Sequence, residues 1–351
     1  MNTKETRPCA SIIIIAYNEE KTIERALKSA CEQTAKDIEI VCVDDGSADA
    51  TYERMINCAA RDSRIKIIKQ PNGGTLAARC AGIRQATGVY SLFLDADDLL
   101  SPDAVQTACD AADAQGADVL EFGVDFLANP EQPPKRGMMQ MHHRQFSQKL
   151  PLPTHAKSAD LIHACFAEQS IPAVLWNKAY RTELLQAAVQ YEQRERLYLV
   201  EDALITLMVL CRTKRYARIP TKLYVHVVGG GISASKTKFT PAEAEKQSKA
   251  IWMPVRLARE WLQKSGYPQD TIASGLTAYF WAIRGIAIQL LTERCTPECR
   301  PIYLNTLLQS CTEQDAVDLM CDMANRIEGY ENAFFWKISA PLRKLLDRLK
   351  R

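Results

Sequence analysis

The chain has 351 residues, 47% hydrophobic and 25% charged, and its 44 basic residues nearly balance 42 acidic ones for a formal net charge of +2. A chain of this length and composition can bury a core without disulfide staples, which excludes collagen-like, low-complexity and wholly disordered readings. The even charge balance gives no basic field of the kind that holds nucleic acid.

SIIIIAY (Ser11 to Tyr17) is a continuous, β-branched apolar run, as expected for a parallel strand covered on both faces. A helix follows, with Asn18 as its cap, Glu19 and Glu20 at its positive end, and Ile23, Leu27 and Ala30 at helical spacing. IEIVCV (Ile38 to Val43) is the second strand, followed by a helix from about Asp49 to Ala60. IKIIK (Ile65 to Lys69) is the third, followed by the turn Pro71-Asn72-Gly73-Gly74 and a helix to about Thr87. YSLFLD (Tyr90 to Asp95) is the fourth. Ser101 as cap and Pro102 at the first position then open a helix that closes near Gly116. DVLEFGV (Asp118 to Val124) is the fifth strand. Repeated β-α units of this length predict an α/β fold with a doubly wound, mainly parallel sheet. Asn129 to Pro153, with its clustered prolines and polar residues, reads as a partly mobile loop. Ala156 to Val228 mixes helices with two strands, Tyr216 to Ile219 and Lys222 to Val228, before a flexible loop at Gly229-Gly230-Gly231. The remainder is helical, and no internal repeat is present. The expected organisation is one half over 1–125, a second half over 126–240, and a helical region over 241–351.

The 12 cysteines mostly sit in apolar runs, as Cys42 and Cys211 do, and read as free thiols in a reducing cytoplasm. Cys295 and Cys299 begin a CxxxC, but Cys311 and Cys321 do not complete a zinc-knuckle spacing. Asn18, Glu19 and Glu20 cut the first apolar run too short for a signal peptide. The best membrane-spanning candidate, Ile272 to Leu291, is interrupted by Arg284 and Gln289 and reads as a buried helix.

Ligands of doubly wound sheets bind outside the carboxyl ends of the strands. The first strand is followed by AYNEE rather than a glycine-rich fingerprint, and no GxxxxGK occurs, so dinucleotide oxidoreductases and P-loop enzymes are disfavoured. The second strand ends in Asp44-Asp45-Gly46-Ser47, where a carboxylate suits a ribose or a base N–H and the residues equally suit a simple turn. The fourth ends in Asp95-Ala96-Asp97-Asp98. Three carboxylates this close repel one another unless a divalent cation or hydrogen-bond donors neutralise them.

AYNEE, VDDGS, NGG-x-x-x-AAR (Asn72 to Arg79) and FLDADD together resemble the nucleotide-sugar-binding domain of inverting family 2 glycosyltransferases of GT-A fold. WNKAYRTELL (Trp176 to Leu185), LVEDALIT (Leu199 to Thr206) and LYVHVVGGGISAS (Leu223 to Ser235) extend the resemblance to the capsule, exopolysaccharide and lipopolysaccharide branch. The resemblance implies a UDP-sugar donor, a saccharide or lipid-linked saccharide acceptor, and Mn²⁺ or Mg²⁺. It implies that Tyr17 stacks on the base, flanked by Ala16, Asn18 and Glu19, and that Asp45 binds the uracil edge with Asp44 nearby. Arg79 would help neutralise the diphosphate. Asp95 and Ala96 would touch the ribose or sugar side, and Asp97 the metal, with Asp95 and Asp98 as further candidate ligands. Glu201-Asp202 would carry the base, Asp202 first and Glu201 in reserve. Trp176 and Lys178 fall on the acceptor side, Trp176 being equally readable as a core residue, and His226 reads as structural. Ile15 and Cys80 stand where the family often has proline and asparagine, which leaves the nucleotide preference less determined.

A nucleotidyltransferase on a similar sheet, or a degenerate nucleotide-sugar-binding protein, are the rival readings. The first should carry a glycine-rich turn after strand one, and intact Asp45, Asp95, Asp97 and Asp202 argue against the second. Finally, Phe335, Ile338, Leu342, Leu345, Leu346 and Leu349 fall three or four apart among six basic residues and one acidic residue, Asp347. That pattern is a basic amphipathic helix able to lie on an anionic membrane face, or an ordinary packed terminal helix. On the family analogy the location is cytoplasmic, peripheral to the membrane.

Overall fold

A computed structural model describes residues 7–134, 136–147, 157–190, 197, 200–229, 237–267 and 269–326. The predicted β-α alternation is present. It runs β1 (Ala10–Ala16), α1 (Ile23–Cys31), β2 (Ile38–Asp44), α2 (Thr51–Ala59), β3 (Ile65–Lys69), α3 (Thr75–Gln85), β4 (Tyr90–Asp95), β5 (Leu99–Leu100), α4 (Ala104–Gln115) and β6 (Val119–Ala128). Then come α5 (Met138–Ser147), α6 (Ser158–Phe166), β7 (Lys178–Arg181), α7 (Thr182–Ala188), α8 (Glu201–Arg212) and β8 (Tyr216–Val228). The C-terminal helices are α9 (Pro241–Ser265), α10 (Gln269–Glu293), α11 (Cys299–Gln309) and α12 (Glu313–Arg326).

One sheet has the strand order β3-β2-β1-β4-β7-β6-β8-β5. β1 pairs in parallel with β2 and with β4, and β2 with β3. The chain therefore builds outward from β1 on one side and returns to its other side at β4, so strand order reverses between β1 and β4. That reversal opens a crevice at their carboxyl ends. Every residue of β2 is buried, as is nearly all of β1, which explains their unbroken apolar runs.

Several elements depart from the sequence reading. Asn18 does not cap α1; it takes a left-handed conformation (φ 58°), and Thr22 is the N-cap residue. α4 starts at Ala104 after Asp103, two residues later than the Ser-Pro signal implied, and closes at left-handed Gly116 as expected. β7 was missed. It runs antiparallel between β4 and β6. The two strands read at 216–228 are one, β8, with its pairing to β6 irregular around Gly123. That irregularity absorbs Pro220, which has no N–H for a regular ladder. Within the stretch read as loop, residues 138–147 form α5.

The chain divides into two compact units, 1–235 with 260–278, and 236–259 with 279–351. The halves expected at 1–125 and 126–240 thus share one sheet. In the second unit, Arg259 pairs with Asp315 at 2.6 Å and Arg284 with Asp322 at 2.5 Å. Among the described residues no helix is long and apolar enough to cross a membrane. The twelve cysteines are free thiols. The amphipathic segment from Phe335 to Arg351 lies outside the described residues.

The turn into β4 is tight. Gly88 N–H donates to Ser11 Oγ at 2.9 Å, and a Cβ at Gly88 would overlap the Ala10 carbonyl carbon and stand 2.5 Å from Ser11 N. Gly88→Ala should therefore cost about 1–3 kcal/mol of stability through overpacking, measurable as a lower denaturation midpoint at unchanged m-value.

Candidate active site

The site forms where β1, β2 and β4 end. Tyr17 follows β1 and is 46% exposed. The Asn18 backbone is clipped to the second strand's loop. Its N–H donates to Ser47 Oγ at 3.0 Å, and its Oδ1 accepts the Ala48 N–H at 2.8 Å. Glu19 N–H donates to Thr51 Oγ1 at 2.7 Å. These bonds account for the left-handed Asn18: its short amide satisfies a loop that a helix cap would leave open.

Asp44 and Asp45 divide their work. Asp45 accepts from Gln70 Nε2 at 2.7 Å and from the Gly73 and Gly74 amides at 2.8 and 2.9 Å, which folds the Asn72-Gly73-Gly74 turn beneath it. Asp44 accepts the Ser47 amide at 3.1 Å, while its buried Oδ2 has no partner among the described residues.

The acids after β4 also differ. Asp98 is fully buried and accepts from Tyr224 Oη at 2.8 Å and the Val227 amide at 2.7 Å, with His226 Nδ1 at 2.9 Å. Its oxygens are committed to tying the turn to β8, so the structure removes it from the candidate metal ligands. Tyr224 Oη accepts the Asp95 amide at 3.1 Å, and Arg25 donates to the Asp97 carbonyl at 2.7 Å. The backbone around Asp97 is thus held on both sides. Its carboxyl is pushed up to about 7, chiefly by burial and then by the Asp98, Asp95 and Glu19 carboxylates. Burial likewise raises Glu19. Among the described residues no three His, Cys, Asp or Glu side chains form a ready-made metal cluster. Mg²⁺-type ions need only one or two carboxylates when substrate phosphates complete the shell, and Asp97 with Asp95 fits that donor set.

Arg79, expected at the diphosphate, is buried and bridges three carboxylates instead. Nη2 donates to Asp95 Oδ1 at 3.3 Å; Nε lies 3.0 Å from Asp202 Oδ1 and 3.6 Å from Glu201 Oε1. Burial opposes its charge, but Asp202, Asp95 and Glu201 outweigh it and hold the guanidinium above its ordinary range. Asp202 is pushed up to about 7, first by burial, against which Arg79 pulls down while Glu201 and Asp95 push up. Its Oδ1 accepts no hydrogen bond among the described residues. That oxygen is buried and ion-paired with Arg79 Nε at 3.0 Å. The fold thus brings the second acidic motif onto the first through one guanidinium.

The two residues expected on the acceptor side are both buried. Lys178 is 1% exposed, with its ammonium bound to Pro172 O, Val174 O and Asn177 Oδ1. Trp176 is buried, stacked 4.7 Å from Tyr224, 5.3 Å from His226 and 5.1 Å from Phe146. Neither meets solvent as an open wall. Tyr224 and Arg25, which fix the acidic turn, went unnoticed because nothing in their local sequence marks a partner roughly seventy or more residues away.

Residues 11–167 match Glycosyl transferase family 2. EpsJ of Bacillus subtilis (strain 168), an uncharacterized glycosyltransferase, is 40% identical over 116 residues, 33% of this chain and 34% of that protein. EpsH of the same organism is 30% identical over 219 residues, 62% of this chain and 60% of that protein. ExoO of Rhizobium meliloti (strain 1021), a succinoglycan biosynthesis protein, is 38% identical over 122 residues, 34% of each. The chain thus spans between a third and three fifths of these relatives' lengths. Among solved structures, S. aureus TarS 1–349 in complex with UDP-GlcNAc superposes with a TM-score of 0.61 at 19% identity, covering 95% of this chain and 91% of that one. That likeness is one of fold: the mainly parallel sheet with C-terminal helices is GT-A-like. Residues 11–167, which carry the acidic motifs at the ends of β2 and β4, match glycosyl transferase family 2.

Proposed function

We propose that the chain transfers a sugar from a UDP-sugar to an acceptor hydroxyl, with inversion, in the assembly of a cell-surface polysaccharide or glycolipid. The observation that carries this reading is the Arg79 bridge, which joins Asp95 of the nucleotide-side acids to Asp202 of the second acidic motif. One cluster then serves both leaving group and nucleophile. Tyr17 stacks on the uracil, and the turn that Asp45 organises at the end of β2 meets its edge or the ribose. Asp202 takes the proton of the acceptor hydroxyl. The acceptor oxygen bonds to the anomeric carbon as the bond from that carbon to the diphosphate oxygen breaks, and UDP leaves from the opposite face. A single displacement of this kind inverts the anomeric centre and needs one base. Asp97 and Asp95 would hold Mn²⁺ or Mg²⁺, which when bound neutralises charge developing on the leaving diphosphate. Arg79 keeps the neighbouring carboxylates from repelling that charge. The resemblance in fold to a structure holding UDP-GlcNAc supports uridine as the base.

A thermal-shift screen of nucleoside diphosphates with Mn²⁺ tests the donor side. UDP is expected to raise Tm more than GDP, CDP or ADP; no response to any of them would end the reading. We further propose a cytoplasmic location with the basic segment after Phe334 resting on an anionic membrane. Deleting Ala340 to Arg351 should weaken co-sedimentation with anionic liposomes, each lost basic residue removing about 1 kcal/mol of attraction, and binding should fall with added salt.

A further inference from the structure

β4, the strand that ends in Asp95, outruns one of its neighbours. β7 pairs with it only from Tyr90 to Leu92, so at Asp95 that pairing has ended. The Asp95 amide finds another acceptor: it donates to Tyr224 Oη, on β8, at 3.1 Å. A backbone N–H out of reach of a ladder needs such a partner, and a phenolic hydroxyl can accept one bond while donating another. Tyr224 uses both capacities, because the same Oη donates to Asp98 Oδ2 at 2.8 Å. One hydroxyl therefore spans the acidic turn, from the backbone at its start to the carboxylate at its end. The Asp98 amide closes that turn on Asp95 O at 3.0 Å.

The ring that carries the hydroxyl is itself held. Tyr224 is fully buried. Trp176 stacks on it with ring centres 4.7 Å apart, and lies parallel to His226 at 5.3 Å. The backbone is in fixed register too. β5 pairs with β8 so that Leu100 faces Tyr224, and the Ser101 amide donates to Leu223 O at 3.0 Å. From α1, Arg25 donates to the Asp97 carbonyl at 2.7 Å. Asp97 thus sits between two anchors: Arg25 holds its carbonyl, and Tyr224 joins the residues on either side of it.

We propose that Tyr224 is a positioning residue for the divalent ion, with Trp176 as its buttress: the hydroxyl that joins the Asp95 amide to the Asp98 carboxylate sets the turn from which the Asp97 and Asp95 carboxyls are presented. The inference rests on the reading of Asp97 and Asp95 as the pair that holds Mn²⁺ or Mg²⁺. Groups behind the ligands fix how the ligands are presented, and their loss is felt in metal affinity. In Tyr224 the two duties are separable, since the hydroxyl serves the turn and the ring serves the core.

The test uses the full chain. UDP affinity is measured calorimetrically at a series of Mn²⁺ concentrations, and the readout is the Mn²⁺ concentration that gives half of the full gain in UDP affinity. Tyr224→Phe deletes the hydroxyl and keeps the ring that stacks on Trp176. It is expected to raise that concentration by about 10- to 100-fold, the scale of losing an outer partner of a metal ligand, and to leave UDP affinity at saturating Mn²⁺ within a few-fold of wild type. A tyrosine that serves only the core would lower Tm and leave the Mn²⁺ dependence in place. Trp176→Phe keeps the hydroxyl and narrows the stack on its ring. It should move the same concentration in the same direction by less, and it decides the matter if Tyr224→Phe does not fold. An unchanged Mn²⁺ dependence, or UDP affinity lost equally at every Mn²⁺ concentration, overturns the role. Asp97→Asn run alongside separates the two ideas. If it gains UDP affinity from Mn²⁺ as wild type does, the metal reading falls and the role of Tyr224 with it; if it loses that gain while both other variants titrate as wild type, only the role of Tyr224 falls.

Discussion

Asp202→Asn is expected to lower kcat by roughly 10²-fold or more while UDP affinity is retained, because general-base catalysis by a placed carboxylate contributes typically 10²–10⁴-fold. The asparagine keeps the shape, yet it cannot take a proton. The proposed nucleotide contacts lie around Tyr17 and the end of β2, away from Asp202, and Asp95 keeps its bond to Arg79 at 3.3 Å. The pH dependence follows from the same group. Its carboxyl is raised to about 7 by burial among Glu201 and Asp95, so the ionised, active form accumulates as pH climbs through about 7, and kcat should rise and level above it. In the variant that limb should vanish. A wild-type limb centred near the ordinary carboxylate range, or a variant whose UDP affinity collapses, would move the base elsewhere.

Stability runs the other way. The folded-state value lies above the unfolded one, so the native protein holds this proton more tightly. The stability this contributes is fully present below about 4, the ordinary unfolded carboxyl value, and is lost as pH rises through about 7. Three carboxylates share one buried guanidinium here, and the excess negative charge is what ionisation must meet. Asp202→Asn should therefore melt higher than wild type at pH 8 and little differently at pH 5, a trade of stability for function common at active sites.

The strands that could be read from sequence are those whose local pattern carries its own reason. β1, β2 and β4 are buried on both faces and spell continuous apolar runs. β7 spells KAYR, and a short segment with a lysine and an arginine gives no such signal; its burial comes from neighbours on β4 and β6 that meet it only in three dimensions. β5 is two residues long. The acidic run after β4 was legible as a site but not as separate roles. Asp97 and Asp98 are adjacent and chemically equal in sequence, and what divides them is Tyr224 and His226, more than 120 residues later, which claim Asp98 alone. Lys178 gives no sign in the sequence of its burial, because the three oxygens around its ammonium are brought to it only by the fold.

Asp97→Asn should show the metal's part most sharply. The Asp97 carboxyl is driven to about 7 chiefly by burial and then by the Asp98, Asp95 and Glu19 carboxylates. Asp98 is neutralised by its own donors, and Asp95 shares Arg79. Asp97 is the carboxylate left for a cation, and a hard divalent ion with diphosphate oxygens is the cation whose ligand preference fits. The expected result is that Mn²⁺ strengthens UDP-dependent thermal stabilisation in the wild type and not in Asp97→Asn. Turnover in the variant should fall by roughly 10²–10³-fold, the scale of losing one preorganised charge-stabilising group. Asp98→Asn is the informative contrast. It should lower Tm without abolishing the Mn²⁺ response, since an amide nitrogen would face Tyr224, His226 or the Val227 N–H where an acceptor is needed. Full turnover in excess chelator, or an Asp97→Asn protein that still responds to Mn²⁺ as wild type does, would return Asp97 to the role of a solvated turn residue.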